Sequence, residues 1–221
     1  MNIIIFGPNG SGKGTQSDLI KDIYSLAHIE SGDIFREHLG QGTELGKKAS
    51  EFMEKGELVP DEITIPMVLE TLGNIKNQGW LLDGFPRNVS QARSLNQSLI
   101  ESGSELNFII EIELERPIAK NRIMGRRICT EHSHHPNNIY IESIQPANNL
   151  CRVCGASLKT RADDQDEEAI DKRHDIYYDN VTGTLAAANY FQQNSSAQYI
   201  KIDGSSSIEN VKNELLSKLG K

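Results

Sequence analysis

The sequence predicts an α/β fold in which a central parallel sheet is covered by helices on both faces. Residues 3–6 form a short, wholly apolar run that ends at Gly7, which is the pattern of a strand buried on both sides. A glycine-rich segment follows, and then Leu19, Ile20 and Ile23 recur at helical spacing. A chain that alternates strand and helix in this way indicates a doubly wound, three-layer α/β/α architecture.

The alternation continues towards the end of the chain. Apolar runs predict further strands at residues 80–82, 108–112 and 199–202. Helical spacing predicts helices at residues 63–72, 90–100 and 208–219. These elements extend the predicted sheet and supply the helices that cover it.

Two segments interrupt this alternation and predict inserted lobes. Residues 31–59 look helical without a strand, and residues 129–160 are rich in Asn, His, Pro and Ser. We therefore expect three parts, which are a core of residues 1–29, 60–121 and 161–221, a helical lobe of residues 30–59 and a small lid of residues 122–160.

Composition excludes several classes of protein. Of the 221 residues, 37% are hydrophobic and 24% charged, which is typical of a globular protein rather than a disordered or fibrous one. A net charge of -8 argues against general nucleic-acid binding, which draws on a surplus of Lys and Arg. The first residues resemble no leader sequence and no run is long enough to span a membrane, so we expect a cytoplasmic protein without nucleic-acid or membrane partners.

The glycine-rich segment is a phosphate-binding loop. Residues 7–13 satisfy the Gly-x4-Gly-Lys pattern of the P-loop, between a predicted strand and a predicted helix. Glycines let successive backbone N–H groups and the helix N-terminus face a polyphosphate, while Lys13 supplies a positive charge. The general motif has Ser or Thr directly after the lysine, but here Gly14 intervenes before Thr15. The sequence therefore predicts a nucleotide-phosphate site of a particular variant.

That variant is the form found in nucleoside monophosphate kinases, and the string GPNGSGKGT at residues 7–15 closely resembles the adenylate kinase family. Further strings resemble the same family in the same order along essentially the whole chain. They are ESGDIFR at 30–36, GELVPD at 56–61, LDGFPR at 82–87, RIMGRR at 122–127, RADD at 161–164 and IDG at 202–204. Ser31 departs from the family's usual Thr, and Ser205 and Ser206 follow Gly204 where other members vary.

The resemblance implies an adenylate kinase, an enzyme that reversibly transfers the terminal phosphoryl group of Mg-bound ATP to AMP and gives two ADP. It also implies a monomer whose partners are these small nucleotides. A kinase for UMP, CMP or GMP is the nearest alternative, although such enzymes often have a shorter lid. A nucleotide-dependent switch or a zinc-bearing nucleic-acid module is the alternative from another class, and the negative charge argues against it.

Dispersed arginines suit phosphoryl transfer, because a guanidinium stays charged and grips phosphate with two donors. Asp83 ends an apolar run and is placed to hold Mg²⁺ through water. The catalytic residues that we predict are Lys13, Asp83, Arg87, Arg122, Arg161 and Arg173. The resemblance implies ATP contacts from Gly10, Ser11, Gly12, Lys13, Gly14, Thr15, Arg126, Tyr140 and Ser206. It implies AMP contacts from Ser31, Arg36, Glu57, Leu58, Val59, Gly84, Phe85, Arg87, Gln91, Arg161 and Arg173.

The lid carries a candidate metal site. Cys151 and Cys154 form a Cys-x2-Cys pair, Cys129 is a third ligand, and the fourth is one of the histidines His132, His134 and His135. His135 leaves fifteen residues before Cys151 and stands five before Tyr140, which is closer to the family's metal-binding lids than His132, so we favour His135. Four protein ligands leave no open position, so we expect a structural ion, Zn²⁺ by default, although Co²⁺ or Fe²⁺ also suits such a site.

Overall fold

The computed structural model describes residues 1–75, 77–132 and 135–220. At its centre is a five-stranded sheet in the order β2-β3-β1-β4-β8, and every neighbouring pair is parallel. In chain order the strands are β1 (Asn2–Phe6), β2 (Ala27–Glu30), β3 (Trp80–Asp83), β4 (Phe108–Glu113), β5 (Arg126–Cys129), β6 (Asn137–Asn138), β7 (Leu158–Lys159) and β8 (Gln198–Asp203). The predicted fold class, with a central parallel sheet, is confirmed.

Helices cover both faces of the sheet and form the lobe at residues 30–59. In chain order they are α1 (Lys13–Tyr24), α2 (Ser31–Gly40), α3 (Glu44–Glu54), α4 (Asp61–Asn74), α5 (Val89–Glu101), α6 (Arg116–Gly125), α7 (Glu167–Tyr178), α8 (Thr184–Asn194) and α9 (Ile208–Lys218). Among the described residues, none of the helices combines the length and the apolar character needed to cross a membrane.

The core is divided by the sheet into two layers, as the period-2 alternation of strand side chains requires. Ile3 and Ile5 of β1 pack on one face with residues of α1 and α9, and Ile4 and Phe6 pack on the other with residues of α4, α5 and α8. Each of these four β1 side chains is at most 2% exposed. Burial on both faces explains why the apolar runs identified β1, β3 and β4 so clearly, whereas in the edge strand β8 only Ile200 and Ile202 are buried.

Strand β2 is a difference from the sequence-based expectation, which placed no strand at residues 27–30. It is an edge strand whose residues pair with those of β3, so that Glu30 lies beside Asp83. Of its four residues, only Ile29 is buried. An edge strand with one buried apolar residue gives no continuous apolar run, and this is why its pattern was missed.

The lid forms its own small sheet. Strand β5 pairs with β6 on one side and β7 on the other, and both pairings are antiparallel. Two turns follow β6. The first is a 3-10 turn at Glu142–Ile144. In the second, Asn148 and Asn149 have positive φ and reverse the chain between the bridged residues Ala147 and Leu150. The lid is therefore built mostly from turns, with little regular structure of its own.

Gly10 fixes the phosphate loop against α6. Its φ is +92°, and a Cβ added there would lie 2.3 Å from the backbone oxygen of Ala119. Gly12 also has a positive φ, of +91°, but a Cβ there would meet no heavy atom within 4 Å. Only glycine satisfies both the conformation and the close approach at position 10.

We expect Gly10→Ala to lower the free energy of unfolding by about 2–4 kcal/mol, because it combines an unfavourable φ with a clash against backbone. Gly12→Ala adds only the unfavourable φ and should cost about 1–2 kcal/mol. Gly14→Ala is the control, since it lies in α1 with open space at its Cβ and should change stability by less than about 1 kcal/mol. Denaturant unfolding of the three variants measures this order, and equal losses for Gly10→Ala and Gly14→Ala would contradict it.

Candidate active site and metal centre

A deep cleft lies at the carboxyl ends of the sheet strands, between the core, the helical lobe and the lid. Its volume is about 770 Å³, and residues of all three parts line it. Ligands of open α/β sheets bind at this edge, because the loops after the strands converge there. All six predicted phosphate-loop residues line the cleft, namely Gly10, Ser11, Gly12, Lys13, Gly14 and Thr15.

Lys13 is the first residue of α1, so its ammonium lies at the helix N-terminus. The Nζ atom donates to the backbone oxygens of Gly7 at 2.6 Å and Pro8 at 3.3 Å. Burial lowers the pKa of Lys13, while the charges of Asp83 and Glu30 oppose the shift. A desolvated cation held by neutral carbonyl oxygens has no tightly bound counter-ion to surrender, so it attracts a phosphate strongly.

Asp83 ends β3 beside the phosphate loop, where Ile5 of β1 is its register partner. The side chain is 4% exposed and lines the cleft. Burial raises the pKa of Asp83, and the charge of Lys13 lowers it in part. A carboxylate at this position supplies a hard oxygen ligand, the kind that Mg²⁺ or its bound water prefers.

Of the six arginines predicted from the sequence, three have no carboxylate partner among the described residues. Within the described part of the chain, no carboxylate oxygen lies within 4.0 Å of the guanidinium nitrogens of Arg87, Arg122 or Arg161. Arg87 Nε donates to the Gly84 oxygen at 2.8 Å, and Arg122 donates to the Gly204 oxygen at 2.7 Å. Burial lowers the pKa of both Arg87 and Arg161. Backbone oxygens position the guanidinium groups of Arg87 and Arg122, and all three arginines retain donors for an anion.

Three other cleft arginines are paired with acidic side chains. Arg126 holds Asp164 with two parallel hydrogen bonds, of 2.8 and 2.7 Å, and Asp164 is fully buried. Arg173 Nη1 lies 2.6 Å from an oxygen of Asp163.

The third paired arginine, Arg36, belongs to the helical lobe. It contacts both Glu30 and Asp33. Thus all six arginines predicted from the sequence line one cleft, and three of them already form ion pairs with carboxylates of the protein.

A small cavity adjoins the main cleft where the helical lobe meets the core. Ser31 donates from its Oγ to the Gly84 oxygen at 2.7 Å, and both residues line this cavity. Gln91 is fixed there, since its Oε1 accepts from the Arg87 backbone N–H at 2.7 Å and its Nε2 donates to Asp61 at 2.7 Å. Of the predicted AMP contacts, Glu57, Leu58 and Val59 also line the cavity.

Two of the predicted nucleotide contacts, Phe85 and Tyr140, line neither the cleft nor the cavity. The side chain of Phe85 is 1% exposed and packs in the core. Tyr140 lies in the lid and is 54% exposed, and it lines neither the cleft nor the cavity. Ser206, by contrast, does line the cleft. The nucleotide contacts expected of Phe85 and Tyr140 therefore find no support in this arrangement.

The lid brings together the four residues favoured as metal ligands. One ligand atom from each of Cys129, His135, Cys151 and Cys154 lies within 4.8 Å of the other three. The sulfur atoms of Cys129 and Cys154 are 3.5 Å apart, and Cys151 Sγ is 3.4 Å from His135 Nδ1. A tetrahedral site with metal–sulfur bonds of about 2.3 Å has sulfur–sulfur edges of about 3.8 Å, so the cluster fits such a site.

The chemistry of the donor set also fits a metal ion. Burial raises the pKa of the Cys151 thiol, but hydrogen bonds from the backbone at Cys154 and from Asn137 outweigh burial and bring the pKa to about 5. A thiolate is the form that binds metal. His132 is exposed and its ring centroid lies 4.7 Å from that of His135, outside the cluster. His134, the remaining alternative, lies outside the described residues.

Sequence reasoning missed several titratable residues of the cleft, and two of them lie on β2. Glu30 contacts Arg36 at 2.9 Å, and His28 Nδ1 lies 3.7 Å from an oxygen of Asp18. Burial lowers the pKa of His28, but Asp18, Asp83 and Glu30 raise it above its ordinary value. The signal that could have identified these two residues is the alternation of side chains along a strand, because His28 and Glu30 flank buried Ile29 and point to the opposite face.

Comparison with known proteins agrees with the arrangement of this cleft. The family model described as adenylate kinase matches residues 5–196. The adenylate kinase of Desulfovibrio desulfuricans is 61% identical over 99% of this chain and 100% of its own length. The adenylate kinases of Solidesulfovibrio magneticus and Desulfosudis oleivorans are 60% and 58% identical, each over 99% of this chain and 100% of its own length. The chain therefore belongs to the adenylate kinase family.

Proposed function

We propose that this protein is an adenylate kinase that reversibly transfers the terminal phosphoryl group of Mg-bound ATP to AMP and gives two ADP. The observation that supports this most is the pairing of two phosphate-binding features in one cleft. The phosphate loop with Lys13 forms one, and the unpaired, desolvated Arg87 and Arg161 form the other. Family membership and the names of the relatives agree with it. A kinase for UMP, CMP or GMP remains the alternative.

On the ATP side, the backbone N–H groups of residues 10–15 and the ammonium of Lys13 would hold the polyphosphate. Arg126 would add charge from the lid, and Ser206 would border the nucleotide. Asp83 would hold the Mg²⁺ of the substrate through water, and that ion supplies charge neutralisation at the phosphate oxygens. The hydrogen bond from Arg122 to the Gly204 oxygen, at 2.7 Å, supports a position for this arginine on the same side.

On the AMP side, Ser31, Arg36, Arg87 and Gln91 would hold the monophosphate in the small cavity and its mouth. The backbone at Gly84 already fixes two of these residues, through Ser31 Oγ and Arg87 Nε. Glu57, Leu58 and Val59 would line the nucleoside end. Gln91 keeps one free N–H and one free lone pair after its two hydrogen bonds, which suits an adenine edge.

Transfer itself would depend on position and charge. Arg122, Arg161 and Arg173 would stabilise the charge on the transferred group while the two phosphates are held in line. No general base is required, because the second pKa of a phosphate monoester is about 6 and the acceptor is already ionised near neutral pH. The protein contribution is therefore pre-arranged cations in a site without bulk water.

We further propose that residues 30–59 and 122–160 act as lobes that close over the nucleotides, with residues 1–29, 60–121 and 161–221 as the core. Closure would exclude water from the phosphoryl group. Arg36 lies in one lobe and Arg126 in the other, so each substrate would draw a lobe inwards. We also propose that the enzyme works as a monomer in the cytoplasm.

In the lid, Cys129, His135, Cys151 and Cys154 would bind a structural metal ion, Zn²⁺ by default, with Co²⁺ or Fe²⁺ as alternatives. All four tetrahedral positions would be filled by protein, so the ion would take no part in transfer. Its contribution is to hold together a lobe that lacks a core of its own.

The first test is a substrate panel with the purified protein. We expect phosphoryl transfer from ATP to AMP with a kcat/KM at least about tenfold above that for UMP, CMP or GMP, a preference that requires about 1.4 kcal/mol in the base pocket. Coupled detection of ADP measures it. A clear preference for UMP would overturn the choice of adenylate kinase while leaving the kinase class intact.

The second test removes the bidentate grip of one arginine. We expect Arg87→Lys to lower kcat/KM by about 10²–10³, because a lysine keeps the charge but loses the planar pair of donors. Arg93→Lys, at an exposed position of α5, is the matched control and should keep the original rate. Steady-state kinetics with melting curves separate lost catalysis from lost folding, and equal rates for the two variants would count against the assignment.

The third test concerns the metal. We expect metal removal to lower the melting temperature by about 5–10 °C while turnover at moderate temperature changes less than about threefold, because the ion stabilises the lid only. His135→Ala should lose bound metal, whereas His132→Ala, the neighbouring ring outside the cluster, should retain it. Elemental analysis and calorimetry measure both. Complete loss of activity in a folded metal-free protein would contradict a purely structural ion.

A further inference from the structure

Glu30 places a negative charge among the cations of the cleft. It is the last residue of β2, its register partner is Asp83, and its side chain is 28% exposed. The sheet therefore holds two carboxylates side by side at its carboxyl edge. Asp83 faces the phosphate loop, while Glu30 reaches towards the helical lobe and contacts Arg36.

The contact between Glu30 and Arg36 is close and partly desolvated. Arg36 Nη2 donates to Glu30 Oε1 at 2.9 Å. Burial raises the pKa of Glu30, but the charges of Arg36 and Arg161 outweigh it and leave the pKa below its ordinary value. The carboxylate is therefore ionised at neutral pH. Burial lowers the pKa values of Lys13 and Arg87, and the charge of Glu30 opposes this shift in both groups.

Asp33 is the second carboxylate on Arg36, and its position differs from that of Glu30. Asp33 and Arg36 lie three residues apart on α2, and the Asp33 side chain is 61% exposed. A helical neighbour moves with the arginine, and solvent screens an exposed pair. Glu30 belongs to the sheet and is more buried. Its charge is the one that an entering phosphate meets at the base of the cleft.

We propose that Glu30 sets the affinity of the monophosphate site, by holding Arg36 when no nucleotide is bound and by opposing the phosphate charge when AMP enters. The proposal rests on the proposed function of this cleft. Arg36 cannot keep all of its donors on Glu30 and also grip a phosphate with two parallel hydrogen bonds, so one anion displaces the other. AMP therefore binds less tightly than it would if Arg36 had no carboxylate partner in the protein without nucleotide.

The test compares Glu30→Gln with the original protein by calorimetric titration of AMP in the absence of ATP. The amide is nearly the same size and its oxygen still accepts from Arg36, but the charge is gone. We expect the Kd for AMP to fall by about threefold to tenfold, the size of effect that removal of one partly screened charge produces. Glu30→Ala, which leaves Asp33 on Arg36, should also bind AMP more tightly and covers the case in which the first variant does not fold.

Two controls test whether the effect depends on the phosphate group of AMP and on the charge of Glu30 in particular. Adenosine lacks it, so the affinity for adenosine should change by less than about twofold in Glu30→Gln. Asp33→Asn removes the exposed carboxylate of the same arginine and should have a smaller effect on AMP than Glu30→Gln. AMP binding that is unchanged or weaker in Glu30→Gln, or adenosine binding that tightens as much as AMP binding, would overturn the proposal. Turnover of the original protein with ATP and AMP tests the proposed function separately.

Discussion

The cleft concentrates positive charge in a protein whose net charge is -8. Lys13 lines it together with Arg36, Arg87, Arg122, Arg126, Arg161 and Arg173. Two like charges about 6 Å apart repel by about 3 kcal/mol at an effective dielectric constant of 20, so an uncompensated cluster would oppose folding. The fold solves this by placing carboxylates between the cations, at Glu30, Asp33, Asp83, Asp163 and Asp164.

This compensation divides the arginines into two groups with different expected behaviour. Among the described residues, no carboxylate oxygen lies within 4.0 Å of the desolvated Arg87 and Arg161, so a phosphate can reach them without displacing another anion. Arg126 is engaged by two hydrogen bonds to buried Asp164, which joins the first strand of the lid to the segment that leads back into α7. In the proposed mechanism, substrate binding and lobe movement are linked, because a phosphate that recruits Arg126 alters this junction.

The sequence predicted the core of the fold well because burial on both faces leaves a simple pattern. Strand β1 is an unbroken apolar run and its loop follows a known phosphate motif, so element, loop and role could all be predicted. Strand β2 has only Ile29 buried, and its edge position removes the apolar signal. The strand that carries Glu30 and His28 was therefore missed, and with it the charge balance of the cleft.

The direction in which a side chain points was harder to predict than the position of its residue in the fold. A family string placed Phe85 and Arg87 together, yet the phenyl ring packs in the core while the guanidinium faces the cleft. In a loop, the position of a residue in a motif does not indicate whether its side chain faces the core or the cleft. His135, which we favoured because its spacing is closer to the metal-binding lids of the family, does lie in the cluster of possible ligand atoms. Ligand spacing in a short turn is a geometric constraint that the sequence records.

The lid shows why a metal site suits this position in the fold. Among its described residues, the buried apolar side chains are Ile123 in α6, Ile128, Cys129 and Cys151, too few for the hydrophobic effect alone to hold it together. Ligands from the end of β5, from the turn before β6 and from the Cys-x2-Cys turn would join three separate stretches through one ion. The amide of Asn138 in β6 donates to the backbone oxygen of Arg122 at 2.8 Å. This hydrogen bond joins the lid to the end of α6, where Arg122 lies, so a structural ion that holds the lid together would act on the stability of the lid and not on transfer itself.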